Sequence, residues 1–125
     1  MILGLGMDVI DIDRIAQSLA RYGDSFLHRL YTAAEIAYCQ RKRRSAESFA
    51  ARFAAKEAAA KALGTGIGQG VTWKQLEVDR ESSGRPILLL HGRAAEVATR
   101  LGVRHSSLTI THTDTQAWAQ VILEN

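Results

Sequence analysis

From Ile2 to Ile10 the chain is mostly apolar, turns β-branched at its end and carries Gly4 and Gly6; this pattern predicts a short buried strand. Glycines inside a strand mark the close approach of another backbone or a ligand. From Asp11 to Tyr22 the spacing becomes helical, with Ile12, Ile15, Ala16 and Leu19 in one apolar stripe. Arg14 and Arg21 lie seven residues apart on the opposite face and point the same way, and Gly23 ends the helix. Thr32-Ala-Ala-Glu35 has the form of a capping box, opening a short helix that ends near Gln40. Ser45 to Leu63 is alanine-rich and free of Gly and Pro; it predicts one long helix with Ser45 as its N-cap and Gly64 as its stop. The next seven residues, Gly64 to Gly70, contain four glycines and predict a loop. Leu76–Arg80 and Ile87–His91 read as strands joined through Ser82 to Pro86. Gly92–Leu101 reads as an amphipathic helix closed by Gly102, and Ser106–Thr113 with Ala117–Leu123 as a terminal hairpin turning at Asp114 to Gln116. With no repeat or linker, the whole points to an α+β fold, a mainly antiparallel sheet with one long central helix, and one domain over residues 1–125.

Composition narrows the classes. A hydrophobic share of 46%, a charged share of 23% and a single proline exclude a disordered or low-complexity chain of 125 residues. One cysteine, Cys39, excludes an internal disulfide framework and any multi-thiolate zinc site, and reads as a buried small hydrophobe. No apolar run approaches the ~20 residues of a membrane span. The start, Met1-Ile-Leu-Gly, lacks the charged head of a secretory signal, so a cytoplasmic protein is expected. Residues 1–64 hold ten Lys+Arg against seven Asp+Glu, and the remainder holds six against six, so the whole net charge of +3 sits in the first half. Twelve of the sixteen basic residues are arginine, whose guanidinium suits bidentate contact with phosphate or carboxylate. An anionic partner follows: nucleic acid, a phosphate-bearing cofactor or an acidic protein.

Four groups of residues could carry chemistry. Asp8 lies in an otherwise apolar segment, where a carboxylate is costly unless it is paired or bound to a cation. The plainer alternative is a strand that ends at Met7 and leaves Asp8 solvated or capping the next helix. Phe53, Glu57 and Lys61 follow one another four apart along one helix flank. That arrangement is either an exposed Glu–Lys pair or a metal-binding carboxylate with a lysine one turn on. Asp8 and Glu57 together would supply the two carboxylates typical of a Mg²⁺ site completed by phosphate and water. The glycine loop follows a helix and lacks the Gly-Lys-Ser/Thr ending of a P-loop, but its backbone can lie close against a ligand. The run Arg41 to Arg44 fits a solvated loop, a nucleic-acid patch or a phosphate clamp, and His112 fits a structural strand histidine.

Taken together, three blocks resemble the holo-acyl-carrier-protein synthases, the small bacterial 4'-phosphopantetheinyl transferases. They are Gly4-Leu-Gly-Met-Asp-Val-Ile-Asp-Ile-Asp-Arg-Ile15, the long block from Arg52 to Gly68, and Ser107-Leu-Thr-Ile-Thr-His-Thr113 with the strand from Ala117. The resemblance spans the chain, and Trp73 to Arg104 is its least distinctive stretch apart from Gly84-Arg-Pro86. It implies transfer of the phosphopantetheine arm of coenzyme A to a serine of acyl carrier protein, in fatty acid biosynthesis, with Mg²⁺ and release of adenosine 3',5'-bisphosphate. By motif position it implies Asp8 and Glu57 as metal ligands and Lys61 as a contact to the transferred phosphate. Gly64, Thr65, Gly66, Gly68 and Pro86 would lie along the coenzyme, with Arg43, Arg44 and Arg52 at its 3'-phosphate and His112 also at the coenzyme site. Arg14 and Arg21 would face acidic residues of the carrier protein. A homotrimer with an active site at each subunit interface is implied as well, with no nucleic-acid or membrane partner. Two readings from other classes stand beside it: a basic nucleic-acid-binding module, which lacks a recognisable binding motif, and a trimeric interaction domain without catalysis.

Overall fold

In the computed structural model the patterns resolve, over all 125 residues, into five strands and five helices. They run β1 (Ile2–Asp11), α1 (Ile12–Tyr22), α2 (Asp24–Leu30), α3 (Ala33–Gln40), α4 (Ser45–Leu63), a 3₁₀ turn (Trp73–Gln75), β2 (Leu76–Arg80), β3 (Pro86–Leu90), α5 (Gly92–Leu101), β4 (His105–His112) and β5 (Gln116–Glu124). Every strand pairing is antiparallel, divided between a three-stranded sheet of order β1-β5-β4 and the separate β2-β3 hairpin. The α+β expectation with its long central helix holds.

α4 lies across the inner face of the larger sheet, and alanine is what allows it to do so. Twelve of its nineteen residues are buried, eight of them alanine, so neighbours approach on nearly every side. Phe53, Glu57 and Lys61 form the flank left open. Against α4, β1 presents Gly4, Gly6, Asp8 and Ile10, the alternate residues of one face. A Cβ on Gly4 would run into the carbonyl oxygen of Ala62, and one on Gly6 into that of Ala58. The two glycines therefore mark a backbone approach, helix main chain against strand main chain.

Several details depart from the sequence expectation. β1, expected to be buried, is covered only on its α4 side and leaves Leu5, Met7 and Val9 exposed on the other. α4 begins with Ser45 already inside the helix: Arg44 is the N-cap residue and no side chain caps it. α2 was not expected; it is only seven residues long and starts directly after Gly23, whose φ of 54° turns the chain. The Thr32–Glu35 capping box forms, with Glu35 N–H donating to Thr32 Oγ1 at 3.2 Å and Thr32 N–H to Glu35 Oε1 at 2.8 Å, but Glu35 does more than cap. It is buried, receives Lys56 Nζ at 2.7 Å and accepts from the Val78 N–H at 2.9 Å. Lys56, also fully buried, donates further to the carbonyls of Trp73 and Leu76, both at 3.0 Å. This ion pair ties α3 and α4 to the turn and strand that follow. No helix is long and apolar enough to cross a membrane.

Candidate functional site

β1 does not stop at Met7. It continues to Asp11, and Asp8 pairs with Ala119 inside the sheet, so the solvated alternative for Asp8 falls away. Its carboxylate faces α4 and is satisfied there by Lys61, Nζ to Oδ1 at 3.0 Å. Lys61 also donates to the Met7 carbonyl at 2.9 Å and remains half exposed. Glu57 stands one turn before Lys61 on the same flank, where positions four apart lie about 5–6 Å from each other at Cβ. It does not pair with Lys61; its Oε1 accepts instead from the Trp73 indole N–H at 3.0 Å. One oxygen of each carboxylate is engaged and the other is left open. No three His, Cys, Asp or Glu side chains gather to hold a metal unaided. Two hard carboxylate oxygens beside a half-exposed ammonium nevertheless form a donor set that fits a hard divalent cation whose other ligands are phosphate and water.

The glycine loop leaves the same end of α4. Gly64 closes the helix at φ 83°, and the Gly66 N–H returns to the Ala60 carbonyl at 3.1 Å. Thr65 Oγ1 bonds the Gly66 carbonyl at 2.7 Å. Nothing in the chain would meet a Cβ at Gly64, Gly66 or Gly68, so the bare backbone here is not a packing requirement. Glycine is called for instead by the backbone, whose φ is 83°, 59° and 149° at the three positions, and the space beside it is open.

The other residues that the resemblance places at the coenzyme assemble elsewhere. Arg43, Arg44, Arg52, Pro86 and His112 line a basin of about 450 Å³ at the N-terminal end of α4, together with Tyr38, Lys42, Glu47 and Arg80. Tyr38 is its hub: Arg52, Lys42, Arg80 and Arg41 stand 4.1, 4.7, 5.4 and 5.9 Å from its ring centroid. Burial would raise the Tyr38 phenol, but Lys42, Arg80 and Arg52 outweigh it and hold it below the ordinary tyrosine range. Arg52 is 2% exposed, and its Nε, like that of Arg80, has no partner. Buried guanidinium N–H groups left unbonded beside a surplus of cations describe an anion site. His112 Nε2 lies 3.4 Å from Glu47 Oε1, within the same basin. Sequence reading missed Tyr38 and Arg80, which reach the basin from α3 and β2 and carry no motif. The basic run thus helps form a concave wall and not a flat patch.

The two groups do not meet within one chain. No residue of the Asp8–Glu57–Lys61 flank or of the glycine loop lines the basin. Arg44 and Glu57 are thirteen residues apart on one helix, about 20 Å along its axis. Arg14 and Arg21 sit exposed on α1, lining one shallow groove of about 220 Å³ with Gln17, Ser18 and Tyr22, and neither is in an ion pair. A cleft of about 480 Å³ beside them, walled by Phe26, Phe53 and Trp73, leads from α1 to the Glu57 flank.

Known proteins match this chain along its whole length. The chain is 58% identical over 125 residues to the holo-[acyl-carrier-protein] synthase of Koribacter versatilis and 54% identical over 125 residues to that of Solibacter usitatus, covering all of both proteins in each case. Among solved structures, the holo-[acyl-carrier-protein] synthase of Neisseria meningitidis superposes with a TM-score of 0.91 at 30% identity, with all of both chains covered. The Helicobacter pylori enzyme, solved in complex with coenzyme A, gives 0.85 at 29% identity over 96% of this chain and 99% of that one. Residues 4–120 match the family model itself, and the chain belongs to the 4'-phosphopantetheinyl transferase superfamily.

Proposed function

We propose that this chain is a holo-acyl-carrier-protein synthase, moving the 4'-phosphopantetheine arm of coenzyme A onto a serine hydroxyl of apo acyl carrier protein. The observation that carries the reading is the Asp8–Lys61 pair, 3.0 Å long and one turn from Glu57, in a chain 58% identical to a protein of that activity. The serine hydroxyl gives its proton to Glu57 or to a water as its oxygen forms a bond to the pantetheine-side phosphorus, the bond to the bridging oxygen breaks, and adenosine 3',5'-bisphosphate leaves. Asp8 and Glu57 hold Mg²⁺, which when bound supplies charge stabilisation at the diphosphate. Lys61 turns from Asp8 to the transferred phosphate, a short movement for a half-exposed side chain. The bare backbone of Gly64 to Gly68 lies along the coenzyme. The basin of Arg43, Arg44, Arg52, Pro86 and His112 takes the adenosine end, its unbonded guanidinium N–H groups meeting the 3'-phosphate. The carrier protein docks its acidic surface on Arg14 and Arg21, and the apolar cleft beside them guides its serine toward Glu57. Residues 1–125 act as one cytoplasmic transferase domain in fatty acid biosynthesis, built on a single cluster of buried apolar residues drawn from both sheets.

Coenzyme A, Mg²⁺ and an apo carrier protein incubated with the enzyme are expected to give a carrier heavier by the mass of the arm. Folded protein that adds no mass to any of several apo carriers would falsify the reading. In the same assay Arg14→Glu and Arg21→Glu raise KM for the carrier and leave KM for coenzyme A in place. An unchanged carrier KM removes those two residues from the docking surface.

Because the flank and the basin stand apart in one chain, one subunit's flank completes the other's basin in a homotrimer. The outer face of the β1-β5-β4 sheet supports this: Leu5, Met7 and Val9 are 58%, 51% and 41% exposed beside Trp118 at 38%. Such an apolar face on an edge strand calls for a cover. Trp118→Glu is expected to yield monomers in sedimentation velocity and to lose turnover with them. A fully active monomeric wild type would refute the shared site.

A further inference from the structure

Glu57 is held by a single side chain, and that side chain comes from outside its own helix. The Trp73 indole donates to Oε1 at 3.0 Å, and an indole can only donate, so its partner must be an acceptor oxygen such as this one. Trp73 is itself fixed at both ends. Its carbonyl accepts from Lys56, which the buried Glu35 locks in place at 2.7 Å. Its ring lies under the Arg29 guanidinium, 5.7 Å from the centroid, and lines the same cleft as Phe53. Glutamate has three rotatable bonds, and Lys61 stands four residues on along the same flank. Without the indole, Glu57 is free to swing to that ammonium and draw it away from Asp8. With it, Lys61 stays on Asp8 and the Met7 carbonyl.

We propose that Trp73 is a positioning residue for Glu57: its indole N–H holds Oε1, so that Oε2 is the oxygen kept for a divalent cation shared with Asp8. This rests on the assignment of Asp8 and Glu57 as metal ligands, and groups that orient a ligand commonly change metal affinity by about 10–100-fold when lost.

The test uses Mn²⁺ as probe, counted by the electron paramagnetic resonance signal of the free ion, with the full-length protein saturated in coenzyme A. Trp73→Phe keeps an aromatic ring and deletes the donor, and benzothienylalanine at position 73 replaces only the N–H by sulphur. Both are expected to weaken Mn²⁺ binding roughly 10-fold and to keep the thermal midpoint near wild type. If Trp73→Phe loses its fold, the isostere decides. In a Glu57→Ala background the same replacements are expected to have no further effect, since no carboxylate remains to orient. Wild-type Mn²⁺ affinity in the isostere, with Glu57→Ala weakened, overturns the positioning role while the metal assignment stands. An equal loss in both backgrounds also overturns it, by making Trp73 a packing residue. If Glu57→Ala binds Mn²⁺ as wild type does, the metal assignment and the positioning role fall together.

Discussion

Asp8→Ala and Glu57→Ala are each expected to lower turnover at saturating coenzyme A by roughly 10²–10³-fold, the range seen when one preorganised electrostatic contact to developing charge is removed. The charge on the leaving diphosphate grows as the bond breaks, so groups that hold its counterion act on the transition state more than on the bound substrate. The loss should therefore appear in kcat and not mainly in KM. Stability should change little. In Asp8→Ala, Lys61 keeps the Met7 carbonyl and solvent; in Glu57→Ala, the half-buried indole of Trp73 loses one acceptor near the surface. Steady-state kinetics beside thermal midpoints check this. A variant with near-normal turnover removes that residue from the metal site.

The largest effect on stability is expected from Glu35→Ala, at about 3–5 kcal/mol, because it strands the Lys56 ammonium in the core. Both side chains of the pair are fully buried, at 2.7 Å. Burial already holds Lys56 below the ordinary lysine range, with Glu35 pulling the other way. Without Glu35 the ammonium falls further. Between that lowered value and the ordinary one, the unfolded chain carries a proton that the folded variant lacks, so the variant gains stability as pH rises through this window. Below the window the ammonium is charged in both states and the deficit is complete. Urea unfolding across a pH series measures both amplitude and slope. A loss under about 1 kcal/mol, the range of an exposed pair, with no pH slope, would show that the pair is not buried in solution.

How much of this was legible depended on whether the signal was local. α4 announced itself through alanine content and Gly64, and the Glu57–Lys61 flank through spacing alone. Gly4 and Gly6 announced a close approach without saying to what. α2 was too short for its Leu27 and Leu30 to form a period, and Arg44 at the α4 N-cap offers no side-chain acceptor to recognise. The Glu35–Lys56 pair was hidden because Glu35 satisfies a capping box, which by itself explains a glutamate at that position. The Tyr38 basin was hidden for another reason: its ring comes from α3 and its cations from α4, β2 and the loop between α3 and α4, and only folding places them around that ring. Trp73 fell in the least distinctive stretch, so its bond to Glu57 had no sequence mark.

The contact of Gly4 and Gly6 with the carbonyls of Ala62 and Ala58 has a bearing on any attempt to engineer this scaffold. Where two segments touch through side chains, a designer can adjust their separation one methyl at a time. Here nothing can be trimmed and nothing added. The distance from Asp8 to its neighbours on α4 is consequently a property of two peptide backbones, and transplanting this acidic pair into another host would require moving the strand and the helix as one inseparable piece.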